Sequence, residues 1–230
     1  MPPQRIKATD PTDERGAEPF VPDSASLPEL SAAVHECRGC DLYKDATQAV
    51  FGSGPENARI MLVGEQPGDQ EDRQGAPFVG PAGTLLDGAL AEAGIARDRA
   101  YVTNAVKHFK FEPRGKKRIH KKPGAYEINA CVPWLDAEFR AVRPPIVVCL
   151  GATAARAILG PKFKLMQQRG TVIDSEHGFK VVATIHPSAV LRSPDPDARR
   201  AAYQMLVNDL KVATRALEDL GELVGPDINP

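Results

Sequence analysis

No uninterrupted apolar run in the chain approaches the roughly 20 residues that a membrane-spanning helix requires. The first residues carry no apolar h-region either. Both absences lead us to expect a cytoplasmic protein with no membrane partner. The chain also lacks a G-x-x-x-x-G-K-[ST] loop and a convincing G-x-G-x-x-G, because Gly52-Ser53-Gly54 precedes the first strand candidate instead of following it. That weighs against a nucleotide-binding module on a doubly wound sheet. There is no internal repeat and no second domain boundary. Net charge is nearly absent as well, at -1, which selects neither for nor against nucleic acid until its distribution is known.

That distribution is uneven. Between Lys107 and Lys122 stand Lys107, Lys110, Arg114, Lys116, Lys117, Arg118, Lys121 and Lys122 against the single acid Glu112, with His108, Phe109, Phe111 and His120 interleaved. A lysine run alone is usually a solvated loop. Aromatic and imidazole rings among the charges favour a phosphate-binding surface.

With 230 residues, 42% of them apolar, the chain can bury one substantial core. The organisation expected is a flexible N-terminal arm over residues 1–27, a single domain over 28–218 and a tail over 219–230. Four apolar segments read as strands: Arg59–Val63, Ala100–Thr103, Ile146–Leu150 and Lys180–Thr184. Helical patterns fall between and after them, at Pro81–Ala93, Ala125–Val142, Ala152–Leu159 and Asp197 to about Leu217. The alternation predicts a three-layer α/β/α fold with a central, mostly parallel, four-stranded sheet. Glu65-Gln66-Pro67-Gly68, Asn104, Gly151 and His186-Pro187-Ser188 each follow a strand, so they should share one sheet edge and one cleft.

Cysteine is scarce, at four residues, Cys37, Cys40, Cys131 and Cys149. Cys37-Arg38-Gly39-Cys40 is a C-x-x-C, which in a cytosolic chain more often binds metal or does redox work than forms a structural disulfide. A thioredoxin-like role fits poorly, since Cys37 follows a helix candidate and not a strand.

The run from Gly64 to Gly83, with Gly64-Glu65-Gln66-Pro67-Gly68 followed by Pro77-Phe78-Val79-Gly80 and a helix, resembles the first motif of the uracil-DNA glycosylase superfamily, most closely its iron-sulfur branch. The resemblance covers about residues 28–215. It implies that Phe78 is the aromatic on which a flipped uracil stacks, that Asn104 reads its N3 and O4, and that Gly64, Gln66 and Asp69 complete the uracil pocket. His186 would donate to the developing charge on O2. Ser188 and Arg192 would contact phosphate, with Val190 or Leu191 filling the gap left in a duplex.

In that branch the C-x-x-C is joined by a cysteine after the Asn-x-Val-Lys strand end and another at the start of the next helix. Here Cys131 matches the second, while the first position reads Asn104-Ala105-Val106-Lys107-His108. The resemblance therefore implies Cys37, Cys40, His108 and Cys131 as ligands of a [4Fe-4S] cluster, with zinc as the alternative because three cysteines and a histidine also make an ordinary zinc set. Cys149 is the rival for His108, but it lies within an apolar strand, where cysteine is usually core.

Gly115-Lys116-Lys117-Arg118-Ile119-His120 lengthens the connection before the next helix and resembles the Lys-Arg-Arg-Ile-His loop of the UdgX branch, in which the histidine attacks deoxyribose and stays bonded to it. Lys117 departs from that pattern by replacing an arginine, which keeps charge but not bidentate geometry. The resemblance implies His120 as nucleophile and Lys116, Lys117 and Arg118 on the DNA, and the chemistry of an attacking imidazole makes Glu65 the candidate to accept or share its other ring proton. The partner expected is uracil-containing DNA, single-stranded and duplex, met by a monomer. The rival expectation is a conventional iron-sulfur glycosylase in which water attacks and Glu65 positions it.

Overall fold

Ile60-Met61-Leu62-Val63-Gly64 is buried at every position, the mark of a strand covered on both faces. It lies inside the central sheet of the computed structural model, which describes residues 16–23 and 26–221. In chain order the elements are α1 (Leu27–Ala33), β1 (Ile60–Gly64), α2 (Asp69–Gln74), α3 (Pro81–Glu92), β2 (Ala100–Asn104), β3 (Phe111–Arg114), β4 (Lys117–His120), α4 (Ala125–Val142), β5 (Ile146–Leu150), α5 (Ala152–Leu159), α6 (Leu165–Gln168), β6 (Val172–Asp174), β7 (Lys180–Thr184), α7 (Pro187–Leu191) and α8 (Pro196–Asp219).

The sheet runs β2-β1-β5-β7-β6, with every pair parallel except β6 on β7. It thus has five strands where four were expected. The extra one is a three-residue edge strand, largely exposed, whose sequence carries no long apolar run. Alternate strand residues face opposite layers. Ile60, Leu62, Val102, Val148 and Val182 pack with Leu86 and Leu90 of α3 and Leu206 and Leu210 of α8. Met61, Val63, Tyr101, Val147 and Val181 pack with Leu135 and Phe139 of α4 and Ala154 and Ile158 of α5. Each fully buried aliphatic side chain stabilises the fold by about 1.5–3 kcal/mol. Among the described residues no helix is long and apolar enough to cross a membrane.

A third apolar cluster joins Leu30, Val34, Cys37 and Cys40 to Val106, Cys131 and Trp134. Part of the expected N-terminal arm belongs to it. Ala17 is buried there and its N–H donates to the Ala130 carbonyl at 2.9 Å, so the packed chain begins ahead of residue 28. Residues 1–15, 24–25 and 222–230, including most of the expected tail, lie outside the described residues.

The basic segment forms an antiparallel hairpin, β3 on β4, instead of an open loop. Gly115, at a φ of 59°, supplies the left-handed residue that opens its two-residue turn. Few apolar residues mark these strands, since β3 and β4 are mostly exposed and hold only Phe111, Pro113 and Ile119 as apolar residues.

Candidate active site

The sheet register builds the site. Gly64 of β1 lies opposite Asn104 of β2, and Leu150 of β5 lies opposite Thr184 of β7, so the residues that follow emerge at one carboxyl edge. There a cavity of about 640 Å³ is lined by Glu65, Gln66, Phe78, Asn104, His120, Thr153, His186 and Arg192, among others. Motifs separated by more than a hundred residues thus converge as expected.

The floor depends on the absence of a side chain at Gly64. A Cβ there would fall 2.3 Å from Asn104 Oδ1 and 2.7 Å from Phe78 Cζ, so glycine alone lets the amide and the ring close in together. Phe78 is held in a left-handed backbone conformation, at a φ of 57°. Its carbonyl presses on the first turn of α3, where a Cβ at Gly83 would meet it at 1.7 Å. The Glu71 carboxylate accepts from the N–H groups of Gly68, at 3.1 Å, and Gly80, at 2.9 Å, and so ties together both ends of the segment that carries Phe78. Glu71 was not among the expected site residues, although its position three residues after Gly68 is a capping-box spacing.

The His186 ring stacks beside Phe78, with centroids 6.0 Å apart and planes 28° from parallel. Its Nδ1 accepts from the Ser188 N–H at 3.1 Å and lies 2.8 Å from Ser188 Oγ. A nitrogen that accepts a backbone N–H carries no proton, so the neutral ring bears its hydrogen on Nε2. Burial, reinforced by Arg192 and His120 nearby, pushes this imidazole down to about 4. The ring is therefore an uncharged donor at neutral pH. Ser188 serves that tautomer in the first place, whatever it does for phosphate. Of the two residues expected to enter a duplex, Val190 is fully buried in the core and only Leu191 remains.

At the mouth, His120 Nε2 stands 3.6 Å from Glu65 Oε1, with the two side chains 50% and 21% exposed. The second Glu65 oxygen accepts from the Thr153 hydroxyl.

Three expected site residues, Gln66, Asp69 and Arg118, make hydrogen bonds that hold the hairpin in place. Gln66 lines the cavity, but its Nε2 donates to the carbonyls of Lys110, at 3.1 Å, and Lys121, at 3.0 Å, and its Oε1 accepts from the Lys110 N–H at 3.3 Å. Its amide fastens both roots of the hairpin. Asp69 faces Arg118, whose Nε lies 2.5 Å from Oδ1, and Arg118 also reaches Asp72 at 2.6 Å and Thr47 Oγ1 at 3.1 Å. The guanidinium lies over the rings of Phe109 and Phe111, at 5.4 Å and 5.0 Å. The structure thus spends Arg118 on the hairpin. Lys107, Lys110 and Lys121 are likewise paired, with Glu138, Glu127 and Glu112. Lys116 in the hairpin turn and Lys117 at the start of β4 are exposed, and Arg192 is exposed on the opposite lip.

Behind the pocket, Cys37, Cys40, Cys131 and His108 are all buried. The Trp134 Nε1–H donates to Cys37 Sγ at 3.2 Å and the Lys107 N–H to Cys131 Sγ at 3.3 Å. Burial pushes the Cys40 thiol up to about 11 and Cys131 up to about 12, and the three thiols lie close enough for Cys131 to feel both others. Burial pushes His108 down to about 4, with Arg38 and His35, which flank Cys37, among the charges acting on it. Cys149 lies on β5 in the other core layer. Three soft donors, one neutral imidazole and N–H groups aimed at two sulfurs fit a thiolate-bound metal group. Among the described residues no three His, Cys, Asp or Glu side chains close around a point that a single ion would fill.

An α/β protein of this architecture binds its ligand at the carboxyl edge of the sheet, and here the cavity at that edge is lined by Phe78 and Asn104. Residues 51–211 match the uracil DNA glycosylase superfamily, and the chain belongs to it. The chain is 38% identical over 176 residues to a type-4 uracil-DNA glycosylase of Thermotoga maritima, covering 76% of this chain and 88% of that protein. It is also 38% identical over 180 residues to a type-4 uracil-DNA glycosylase of Archaeoglobus fulgidus, covering 74% and 85%. A type-5 uracil-DNA glycosylase of Pyrobaculum aerophilum is 34% identical over 153 residues, covering 59% and 63%.

Proposed function

We propose that this protein excises uracil from DNA, single-stranded or duplex, and captures the exposed deoxyribose C1′ through His120, ending as a stable protein–DNA adduct after one turnover. The observation that carries this reading is the placement of His120 beside Glu65, with Nε2 3.6 Å from Oε1, at the mouth of a cavity that Phe78, Asn104 and His186 line. Catalytic hydrogen bonds that are long in the free protein tighten when substrate arrives.

Uracil stacks on Phe78 while the Asn104 amide donates to O4 and accepts from N3–H. The C1′–N1 bond breaks and its electron pair leaves with uracil, whose O2 accepts from His186 Nε2–H. An uncharged donor suffices, because the negative charge on uracil is absent in the bound substrate and develops only as the C1′–N1 bond breaks. The sugar becomes an oxocarbenium ion, stabilised by the Glu65 carboxylate. The unprotonated nitrogen of the His120 ring bonds to C1′, and Glu65 takes the proton from the other nitrogen. The product is an N-glycosyl imidazole, a poor leaving group once neutral.

The purified protein, incubated with a uracil-containing oligonucleotide and a thymine control and then heated, is expected to give a uracil-dependent band at the mass of protein plus DNA on a denaturing gel. Abasic DNA without that band would replace covalent capture by attack of water. No change in either lane would remove excision altogether.

Cys37, Cys40, His108 and Cys131 would hold a [4Fe-4S] cluster, tying the segment after α1 to the segment after β2 and to α4. Such a cluster would supply a structural cross-link. The Trp134 and Lys107 N–H groups would stabilise the thiolate form of their sulfurs. A brown protein with a broad visible band, containing iron and sulfide, is expected, and Cys131→Ser should lose both colour and iron. A colourless protein carrying stoichiometric zinc would reverse the assignment.

A further inference from the structure

We propose that Thr153 is a positioning residue that divides the two oxygens of Glu65, locking one and leaving the other to His120. This inference rests on the role given to Glu65 above. Thr153 is buried in the first turn of α5, and its Oγ1–H donates to Glu65 Oε2. Glu65 Oε1 is the oxygen that faces His120 Nε2, at 3.6 Å.

A glutamate on a turn has three side-chain torsions to settle, and the carboxylate of Glu65 is partly exposed. Without a second anchor, its oxygens would exchange places and point away from C1′ for much of the time. The Thr153 hydroxyl supplies that anchor from a rigid part of the fold. The turn before α5 is fixed by Gly151, at a φ of 95°, whose N–H donates to the Thr184 carbonyl at 2.8 Å. A Cβ at Gly151 would stand 3.2 Å from His186 Cβ, so the turn bearing Thr153 also abuts the histidine on the far side of the cavity. The Glu65 carbonyl accepts from the Val106 N–H at 3.1 Å, which fixes the backbone from which the carboxylate reaches. One hydroxyl thus sets the direction of the carboxylate that must meet both the oxocarbenium carbon and the ring proton of His120.

The position was legible only as a hydroxyl two residues beyond Gly151. The charge and ring motifs that single out Glu65 and His120 say nothing of it.

The test is single-turnover kinetics with a uracil oligonucleotide, reading uracil release and the adduct band separately in Thr153→Val and Thr153→Ser. Valine keeps the shape and deletes the donor. A lost hydrogen bond to a charged group predicts a rate about tenfold to hundredfold lower in Thr153→Val, with the protein concentration for half-saturation unchanged. Thr153→Ser should recover most of the rate. In a Glu65→Gln background, Thr153→Val should add no further loss, because the residue acts through Glu65. An unchanged rate in Thr153→Val, an equal loss in both backgrounds, or failure of serine to rescue would overturn the proposal. If the unsubstituted protein releases uracil without an adduct, covalent capture fails and Thr153 is judged on uracil release alone. Absence of any release would overturn both.

Discussion

Replacing His120 by serine is expected to abolish the uracil-dependent adduct while uracil release continues. A serine hydroxyl is a weak nucleophile without a base held against it, and it cannot relay a ring proton to Glu65. The adduct should fall by about two orders of magnitude or more. The side chain it replaces is half exposed at the cavity mouth, so its loss opens that mouth to water beside the same carboxylate. Water captured at C1′ leaves free abasic DNA, and the protein turns over. Following both products in one reaction separates the roles, since the pocket of Phe78, Asn104 and His186 is left intact. An undiminished adduct in His120→Ser would place the nucleophile elsewhere.

How much of this could be read in the chain depends on the range of the interactions. The parallel strands are short runs buried on both faces, as in Ile146-Val147-Val148-Cys149-Leu150, and such runs announce themselves. Their ends then place Glu65, Asn104, Gly151 and His186 on one edge without further information. The hairpin resisted, because its strands are short, mostly exposed and carry only Phe111, Pro113 and Ile119 as apolar residues, too few for an alternation to reveal them. Arg118 shows the same limit in its chemistry. Its charge favoured a phosphate partner, but Asp69 and Asp72, 49 and 46 residues away in the chain, claim it. The resemblance of the Gly64–Gly68 turn implies Gln66 at the uracil pocket, and its amide also satisfies backbone groups at the two roots of the hairpin, which no local spacing announces. A polar residue beside a pocket has to meet its protein partners before its ligand, and those partners lie beyond local spacing. Cys149 went the other way: an apolar neighbourhood in sequence was sufficient to assign it to the core, where it lies.

Glu138→Ala is expected to cost about 3–5 kcal/mol of folding stability, a large part of the roughly 5–15 kcal/mol that a domain possesses. Glu138 and Lys107 form an ion pair that is 0% exposed on both sides, directly behind Asn104. The carboxylate also accepts from Tyr101 Oη at 2.9 Å, Thr103 Oγ1 at 2.8 Å and the Gly52 N–H at 3.1 Å. Burial beside this carboxylate raises the Tyr101 phenol well above its ordinary range and so keeps it a donor. Alanine would leave an ammonium, two hydroxyls and a backbone N–H facing a void that the packed core cannot close. Urea unfolding would show the loss, and a change under about 1 kcal/mol would mean that water reaches the site and replaces the carboxylate. The pair has a second use, because Lys107 Nζ donates to the Asn104 carbonyl at 2.8 Å and to Thr103 Oγ1 at 2.7 Å. Replacing both partners with apolar residues, as in Lys107→Met with Glu138→Leu, should recover part of the stability, since no buried charge is then left unpaired. It should not recover uracil binding, because the backbone of Asn104 has lost its donor. Stability regained without uracil affinity would show that this buried charge holds the Asn104 backbone in place for the proposed uracil pocket, which an apolar core of the same volume does not do.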